Sequence, residues 1–205
     1  MARKVFISFR YNDGHVYKEK LEALFKNNNN IINCSESEDR SHLSDITIKN
    51  YLYSKLRGTS VTIVILTPEA IKYRRSNFYN KIDDWIYDEV RYSLENRENN
   101  RPNGLIAVYT PEAKNIIIEE GYDIIKINEF DNLVRENMFN VIKKYKTNPK
   151  ENVYDSNYDH YCSLISWNEF IKNPDKYIEI AEYKRDNIEK YEIKTQLNNP
   201  NNYFF

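Results

Sequence analysis

Two side chains that could take part in a reaction lie one helical turn apart in the segment DDWIYDEVRYSLE, residues 83–95. Trp85 and Glu89 are four positions apart, a spacing that brings side chains together on a helix. None of the residues three or four positions from Glu89 is cationic. A partly buried carboxylate beside an indole ring, without a local counter-charge, tends to have a perturbed pKa, as catalytic carboxylates do. The same pattern also fits a Glu89 that turns to solvent or pairs with an arginine from elsewhere.

The helix that must position Glu89 is amphipathic. Its apolar residues recur at helical spacing and predict a face packed against a core, formed by Ile82, Ile86, Val90 and Leu94. Trp85 and Glu89 lie at one edge of that face, so we expect Glu89 at the border between core and surface. Asp88 has Arg91 three residues on and is typical of a solvated ion pair.

Strand patterns and helix patterns alternate along the first two thirds of the chain. Strands are predicted at residues 5–9, 31–34, 60–66, 104–109 and, more weakly, 124–127. The run SVTIVIL at 60–66 is continuous and β-branched, which predicts a central, fully buried strand. The alternation predicts a single α/β domain with a parallel sheet of four to five strands and helices on both faces.

The pattern changes beyond about residue 130. The segment FDNLVRENMFNVIKKY is compatible with a helix or with partly irregular structure, and no strand is predicted after Ile127. The segment from Trp167 to Ile188 predicts a helix interrupted at Asn173-Pro174 and then a second helix. We therefore expect an α/β domain over residues 1–145 and a C-terminal helical extension over 146–205, packed on the same domain.

Composition narrows the classes of function. The 205 residues carry a formal net charge of -1, so no basic field for nucleic acid is expected. No apolar run is long enough to span a membrane, and we expect a cytoplasmic protein. The two cysteines, Cys34 and Cys162, and the three histidines match no metal-site spacing. A Cys162 nucleophile with nearby His160 is an alternative that no other residue supports.

Polar and aromatic residues follow the predicted strands, at the edge where parallel α/β sheets bind ligands. Residues 8–13 follow the first strand, 67–69 the third and 109–111 the fourth, and residues 43–45 open a helix with Ser44 or Asp45 as its N-cap. This edge suits a nucleotide: a ring for stacking, Arg10 for phosphate, and helix N-terminal N–H groups for a second anion.

Three other chemistries are excluded by missing motifs. The chain has no Gly-rich phosphate loop, so neither the P-loop nor the dinucleotide fingerprint applies. A phospho-accepting receiver domain needs an acidic pair after the first strand and an aspartate after the central one, where this chain has Ser8-Phe9 and Thr67-Pro68. A serine hydrolase of the nucleophile-elbow type needs G-x-S-x-G, which is absent.

The segments KVFISFRYND, DITIKNYLYSKLRGTSVTIVIL and DDWIYDEVRYSLE resemble the TIR domain superfamily. The resemblance is closest to the TIR-like family of prokaryotic anti-phage defence, of the Thoeris ThsB type. NRPNGLIAVYTPE, FDN and WNEFIKNPDKYIEIA fit that family as well. The resemblance implies a flavodoxin-like fold and cleavage of NAD+ at the nicotinamide–ribose bond, with Glu89 at the position of the catalytic glutamate. It further implies conversion to a cyclic ADP-ribose-type nucleotide that activates a separate effector when a phage is sensed.

The resemblance also indicates substrate-binding residues. Ser8, Phe9 and Arg10 match the end of the family's first strand, although Phe9 is equally compatible with the core and Arg10 with a surface cation. Asp45 can orient a ligand or cap its helix, and Trp85 can shape the pocket by packing. Residues 74–84 are long for a compact TIR-like domain and are either a cover for the site or a solvated loop.

NAD+ would be a substrate, so no cofactor and no metal are expected. The expected partners are NAD+, an effector reached by a diffusible nucleotide, an unknown phage trigger and a homo-oligomer. Two alternatives remain open. One is a non-catalytic TIR interaction module in which Glu89 is structural. The other is an enzyme similar to nucleoside deoxyribosyltransferases, in which a glutamate forms a covalent intermediate with the sugar.

Overall fold

A five-stranded parallel sheet organises the computed structural model, which describes residues 2–35, 45–76, 82–96, 101–121 and 124–197. The strand order is β2-β1-β3-β4-β5 and every pairing is parallel. The strands are β1 Arg3–Ser8, β2 Ile31–Asn33, β3 Val61–Leu66, β4 Gly104–Tyr109 and β5 Cys162–Ser166. The chain leaves β1 toward β2 on one side and returns to β3 on the other. The carboxyl ends of β1 and β3 therefore form the switch point at which such sheets bind ligands.

Helices cover both faces of the sheet, as predicted. They are α1 Tyr11–Lys26, α2 Asp45–Arg57, α3 Trp85–Leu94, α4 Pro111–Ile117, α5 Leu133–Glu136, α6 Trp167–Phe170 and α7 Pro174–Asp186. Local sequence explains several starts: Thr110 caps α4 and Asn173 caps α7, each followed by a proline that suits the first turn. The interruption predicted at Asn173-Pro174 is thereby confirmed. None of the helices in the described ranges is long and apolar enough to cross a membrane.

Strand β3 is the centre of the core. All six of its residues are buried, as the continuous β-branched run predicted. One face of the sheet packs against α1, α6 and α7, and we call it the α1 face. The other packs against α2, α3, α4 and α5, and we call it the α3 face. The two apolar layers exclude water from the parallel ladder on both sides.

The pleat of β1 decides which of its side chains meet α3. Val5 and Ile7 pack on the α1 face, whereas Phe6 packs against α2 and α3. Side chains alternate between faces along a strand, so Ser8 shares the α3 face with Phe6. This alternation directs Ser8 toward the helix that carries Glu89.

The fifth strand differs from the sequence-based expectation. Residues 124–127 form no strand of the sheet; Ile125 makes an isolated bridge to Ile118 and a 3-10 turn follows. Instead Cys162–Ser166 pairs in parallel with β4, so the prediction of no strand after Ile127 was wrong. The apolar pattern of β5 was obscured because its Ser163 faces the interior. There Ser163 Oγ accepts a hydrogen bond at 2.6 Å from Nζ of Lys184, a fully buried residue of α7. A period-2 apolar signal needs apolar residues on its buried face.

The segment 146–205 thus supplies an edge strand and two of the helices on the α1 face. Helix α7 lies close against the start of β4. A Cβ at Gly104 would lie 2.3 Å from the carbonyl oxygen of Ala181, so only glycine permits this approach.

Candidate active site at the carboxyl end of the sheet

Helix α3 packs as its apolar periodicity predicted. Ile86, Val90 and Leu94 are buried, with exposed fractions of 3%, 0% and 1%, and Ile82 packs against the same cluster. Asp84 is the N-cap of the helix, and its carboxylate accepts a hydrogen bond from the backbone N–H of Ile86 at 3.0 Å. This N-cap and the buried stripe together set the rotation of α3, and they place Glu89 beside the end of β1.

Glu89 meets Ser8 at the switch point of the sheet. Ser8 Oγ donates to Glu89 Oε2 at 2.5 Å, across 81 positions of sequence. Ser8 is fully buried, and Glu89 is partly buried. Glu89 therefore does not turn freely into solvent, and within the described ranges it pairs with no arginine, the two alternatives that its sequence context left open.

The surroundings of Glu89 favour its neutral form. Burial, and to a lesser extent the nearby charges of Asp84 and Asp88, raise the pKa of its carboxyl from 4.5 to about 8, against the lowering effect of the Ser8 hydroxyl. A raised carboxyl pKa at the ligand-binding edge of an α/β sheet marks a candidate functional group. At neutral pH this group is largely protonated in the absence of a ligand, and a cation bound beside it would drive its ionisation.

A buried polar network holds the same helix one turn further on. Ser93 Oγ donates to the backbone carbonyl of Glu89 at 2.8 Å and lies 2.8 Å from Thr62 Oγ1 of β3. Asn103 Nδ2 donates to Thr62 Oγ1 at 3.1 Å. The sequence analysis missed this network. Its only sequence signal is polar residues within otherwise apolar segments, and such buried polar groups require partners.

Arg10 is engaged by Asp84 and is not a surface cation. Its Nη2 donates to Asp84 Oδ2 at 2.5 Å, and the two side chains are 8% and 0% exposed. The Nε of Arg10 has no hydrogen-bond partner among the described residues. Asp84, which the sequence analysis did not single out, thus joins the position after β1 to the start of α3.

The remaining predicted site residues separate into two groups. Trp85, the first residue of α3, is 39% exposed and lies on the same side as Glu89. Phe9 packs against the cluster on the opposite, α1 face of the sheet, and its ring has Lys18 Nζ 5.9 Å from its centroid. The side chain of Asp45 and the whole of Ser44 lie outside the described residues, as does the centre of the predicted cover, residues 77–81. The structure therefore brings Ser8, Arg10 and Trp85 to the side of Glu89, and does not bring Phe9.

Other candidate chemistries find no support in the described ranges. No group of three or more metal-ligating side chains occurs among the described residues. Cys162 is fully buried, and burial raises the pKa of its thiol to about 12, so it cannot act as a nucleophile with His160.

Grooves of about 650 and 770 Å³ lie elsewhere on the surface, one lined by residues that include Tyr158, Tyr183 and Tyr191 and the other by residues of α1 and β2. Both are open surface grooves, and Glu89 lines neither of them. We therefore assign the candidate site by the buried contact and the perturbed pKa of Glu89, not by the volume of a groove.

The chain matches a model of a known protein family. A family model described as Thoeris protein ThsB, TIR-like domain, matches residues 6–115, more than half of the chain. The matched residues run from β1 into α4 and include Ser8, Arg10, Asp84 and Glu89.

Proposed function

Because the chain belongs to the TIR-like domain family of Thoeris protein ThsB, we propose that it is an anti-phage defence enzyme that cleaves NAD+ between nicotinamide and ribose. The product is a cyclic ADP-ribose-type nucleotide that activates a separate effector. The observation that carries the proposal is Glu89, a partly buried carboxyl group with a pKa raised to about 8 at the switch point of a parallel sheet.

The reaction needs a carboxylate more than it needs a general acid. Nicotinamide leaves as a neutral molecule, so its departure requires no proton. Positive charge grows on the ribose as the bond breaks, in a transition state similar to an oxocarbenium ion. A carboxylate held beside the ribose stabilises that charge most strongly where water is excluded. Glu89 is the only residue to which we assign this role.

The raised pKa of Glu89 couples its ionisation to the substrate. The pyridinium ring of NAD+ is cationic, so its binding next to Glu89 favours the ionised carboxylate and lowers the pKa of that group. In the unliganded protein the carboxyl group of Glu89 is neutral, and binding of the substrate converts it to the reactive carboxylate. Ser8 supports this change because a donated hydrogen bond is stronger to a carboxylate than to a neutral carboxyl.

Cyclisation requires that an atom of the adenine or of a ribose reach the anomeric carbon before water does. The exposed ring of Trp85 supplies an apolar edge beside Glu89 against which a ligand can exclude water. We propose that the reaction takes place in the cytoplasm, that phage infection triggers it, and that assembly of several copies completes the site. The nucleotide itself carries the signal to the effector.

The decisive experiment compares the wild type with Glu89→Gln in cells challenged with phage. NAD+ and ADP-ribose isomers are measured in lysates by mass spectrometry. We expect an ADP-ribose isomer in the wild type and none in Glu89→Gln. The matched control is Glu95→Gln, the same chemical change at the C-cap of the same helix, where the partly buried Glu95 pairs with Arg91 at 2.8 Å; this variant should retain the product.

Two outcomes would redirect the assignment. Equal NAD+ levels in the wild type and Glu89→Gln across several phages would favour a non-catalytic interaction module. A sugar trapped covalently on Glu89 would favour an enzyme similar to nucleoside deoxyribosyltransferases, because the proposed mechanism stabilises the cation without forming a bond to it.

A further inference from the structure

One carboxylate joins three segments next to the candidate site. Asp84 Oδ1 accepts the N-cap hydrogen bond from Ile86 N at 3.0 Å. Its other oxygen, Oδ2, accepts from the backbone N–H of Arg74 at 2.7 Å and from Nη2 of Arg10 at 2.5 Å. Asp84 therefore anchors three segments at once: the start of α3, the loop before it, and Arg10, two positions after β1.

Because the Arg10–Asp84 ion pair is buried, its stability requires both partners. The side chain of Asp84 is 0% exposed and that of Arg10 is 8% exposed, so each charge depends on the other for compensation. Removing one partner of a buried ion pair leaves an uncompensated charge and is strongly destabilising, whereas removing both is much less so. A cap alone does not need this pair, because an uncharged asparagine serves as well at an N-cap.

The pair lies at one end of the segment that carries Glu89, and a second anchor lies at the other. Asp84 precedes Glu89 by five positions, and Ser93 follows it by four and joins α3 to Thr62 of β3. A shift of α3 along or away from the sheet must break one of these anchors before the contact between Glu89 and Ser8 can open.

We propose that Arg10 and Asp84 form a positioning clamp, which fixes the first turn of α3 to the end of β1 and thereby holds the carboxyl group of Glu89 against Ser8. Arg10 then acts through Asp84 and is not a ligand of the substrate's phosphates. The inference deepens the proposed function and rests on it only in taking Glu89 as the reactive group.

The clamp predicts the direction in which the titration of Glu89 shifts when either partner of the pair is replaced. Two carboxylates raise the pKa of Glu89, and the effect of Asp84 is larger than that of Asp88. Arg10 forms an ion pair with Asp84 and so offsets its negative charge. The other groups that face Glu89 in the described structure are Asp88 on its own helix and the hydroxyl of Ser8 on β1. Asp84→Asn keeps the cap and removes a negative charge, so Glu89 should titrate at lower pH. Arg10→Met leaves Asp84 uncompensated, so Glu89 should titrate at higher pH.

The test is an NMR titration of the full chain with ¹³C-labelled glutamate side chains, in which Glu89 is assigned by its loss in Glu89→Gln. Opposite shifts in the two single variants would support the clamp. Asp88→Asn is the matched control: it should lower the titration point of Glu89 whether or not Arg10→Met is present. Shifts of the same sign in Arg10→Met and Asp84→Asn, or no shift in folded Arg10→Met, would overturn the clamp.

Kinetics give the second readout. A positioning role predicts that Arg10→Met lowers kcat by up to about 100-fold with little change in KM, because the reacting groups are misplaced while the substrate still binds. Arg10→Lys should restore part of kcat, since it keeps the charge beside Asp84. A large rise in KM at unchanged kcat would instead make Arg10 a substrate ligand. Since the titration needs no turnover, a wild type that shows the expected shifts but makes no ADP-ribose isomer in phage-challenged cells would refute the proposed function and leave the clamp supported.

Discussion

Replacing Glu89 by glutamine is expected to stabilise the folded protein above pH 8, although the same change removes the proposed activity. In the folded protein the carboxyl of Glu89 has a pKa of about 8, against an unperturbed value of 4.5. Between these values the folded state holds a proton that the unfolded chain has already lost. The free energy of unfolding of the wild type therefore falls as the pH rises through this window, and glutamine, which does not titrate, is free of that penalty.

The magnitude follows from the separation of the two pKa values. Each pH unit corresponds to about 1.4 kcal/mol, so the ceiling is about 5 kcal/mol above pH 8. Because Glu89 is only partly buried, solvent screening lowers this ceiling, and we expect a gain of about 1–3 kcal/mol for Glu89→Gln. Below pH 4.5 the carboxyl is protonated in both states, and the variant should match the wild type because glutamine can still accept from Ser8 Oγ.

The assay is urea unfolding followed by circular dichroism at pH 4.5, 7 and 9 and constant ionic strength. The informative quantity is the difference in unfolding free energy between variant and wild type, since the other titrating groups cancel in it. Glu95→Gln is the control, and its difference should not rise with pH. A Glu89→Gln difference that is flat from pH 4.5 to 9, or a variant less stable than the wild type at pH 9, would show that Glu89 is not desolvated and would refute the reasoning.

Three further predictions concern the site and the packing that supports it. The kcat/KM for NAD+ should rise with pH and level off above about 8, because the free enzyme must lose the Glu89 proton; in Ser8→Ala this rise should move to higher pH, as initial rates between pH 6 and 9.5 would show. Ser93→Ala should lower the unfolding free energy measured in urea by about 1–2 kcal/mol, because it leaves groups of the buried network unpaired. Gly104→Ala should cost about 3 kcal/mol or abolish folding, since its Cβ would lie 2.3 Å from Ala181 O, whereas Gly58→Ala, with its nearest neighbour at 3.7 Å, should stay within about 1 kcal/mol in the same assay.

Several elements were predictable because their signals are local. The run at 60–66 predicted a buried central strand, and β3 is buried along its whole length. The periodicity around Glu89 predicted the buried face of α3 and the border position of the carboxyl group. These features depend only on the period of apolar residues along a single helix or strand.

β5 escaped the same method because its burial is partly polar. Ser163 lies in the interior, where its partner is Lys184 on α7, so the segment shows no continuous apolar run. A polar residue that is satisfied by a partner 21 positions away looks the same in sequence as one that faces water.

The sequence by itself determined the order of helices and strands from β1 to α4, the amphipathic face of α3 and the presence at its edge of a carboxylate without a counter-charge on the same helix. Only the tertiary structure decided the partners: Ser8 reaches Glu89 across 81 positions, and Arg10 reaches Asp84 across 74. It also placed Phe9 on the face opposite Glu89, one residue after Ser8, because neighbouring side chains of an extended chain point to opposite sides. Periodicity records which face of an element is apolar, whereas the charge and the desolvation that set a pKa depend on which distant residues the fold brings beside it.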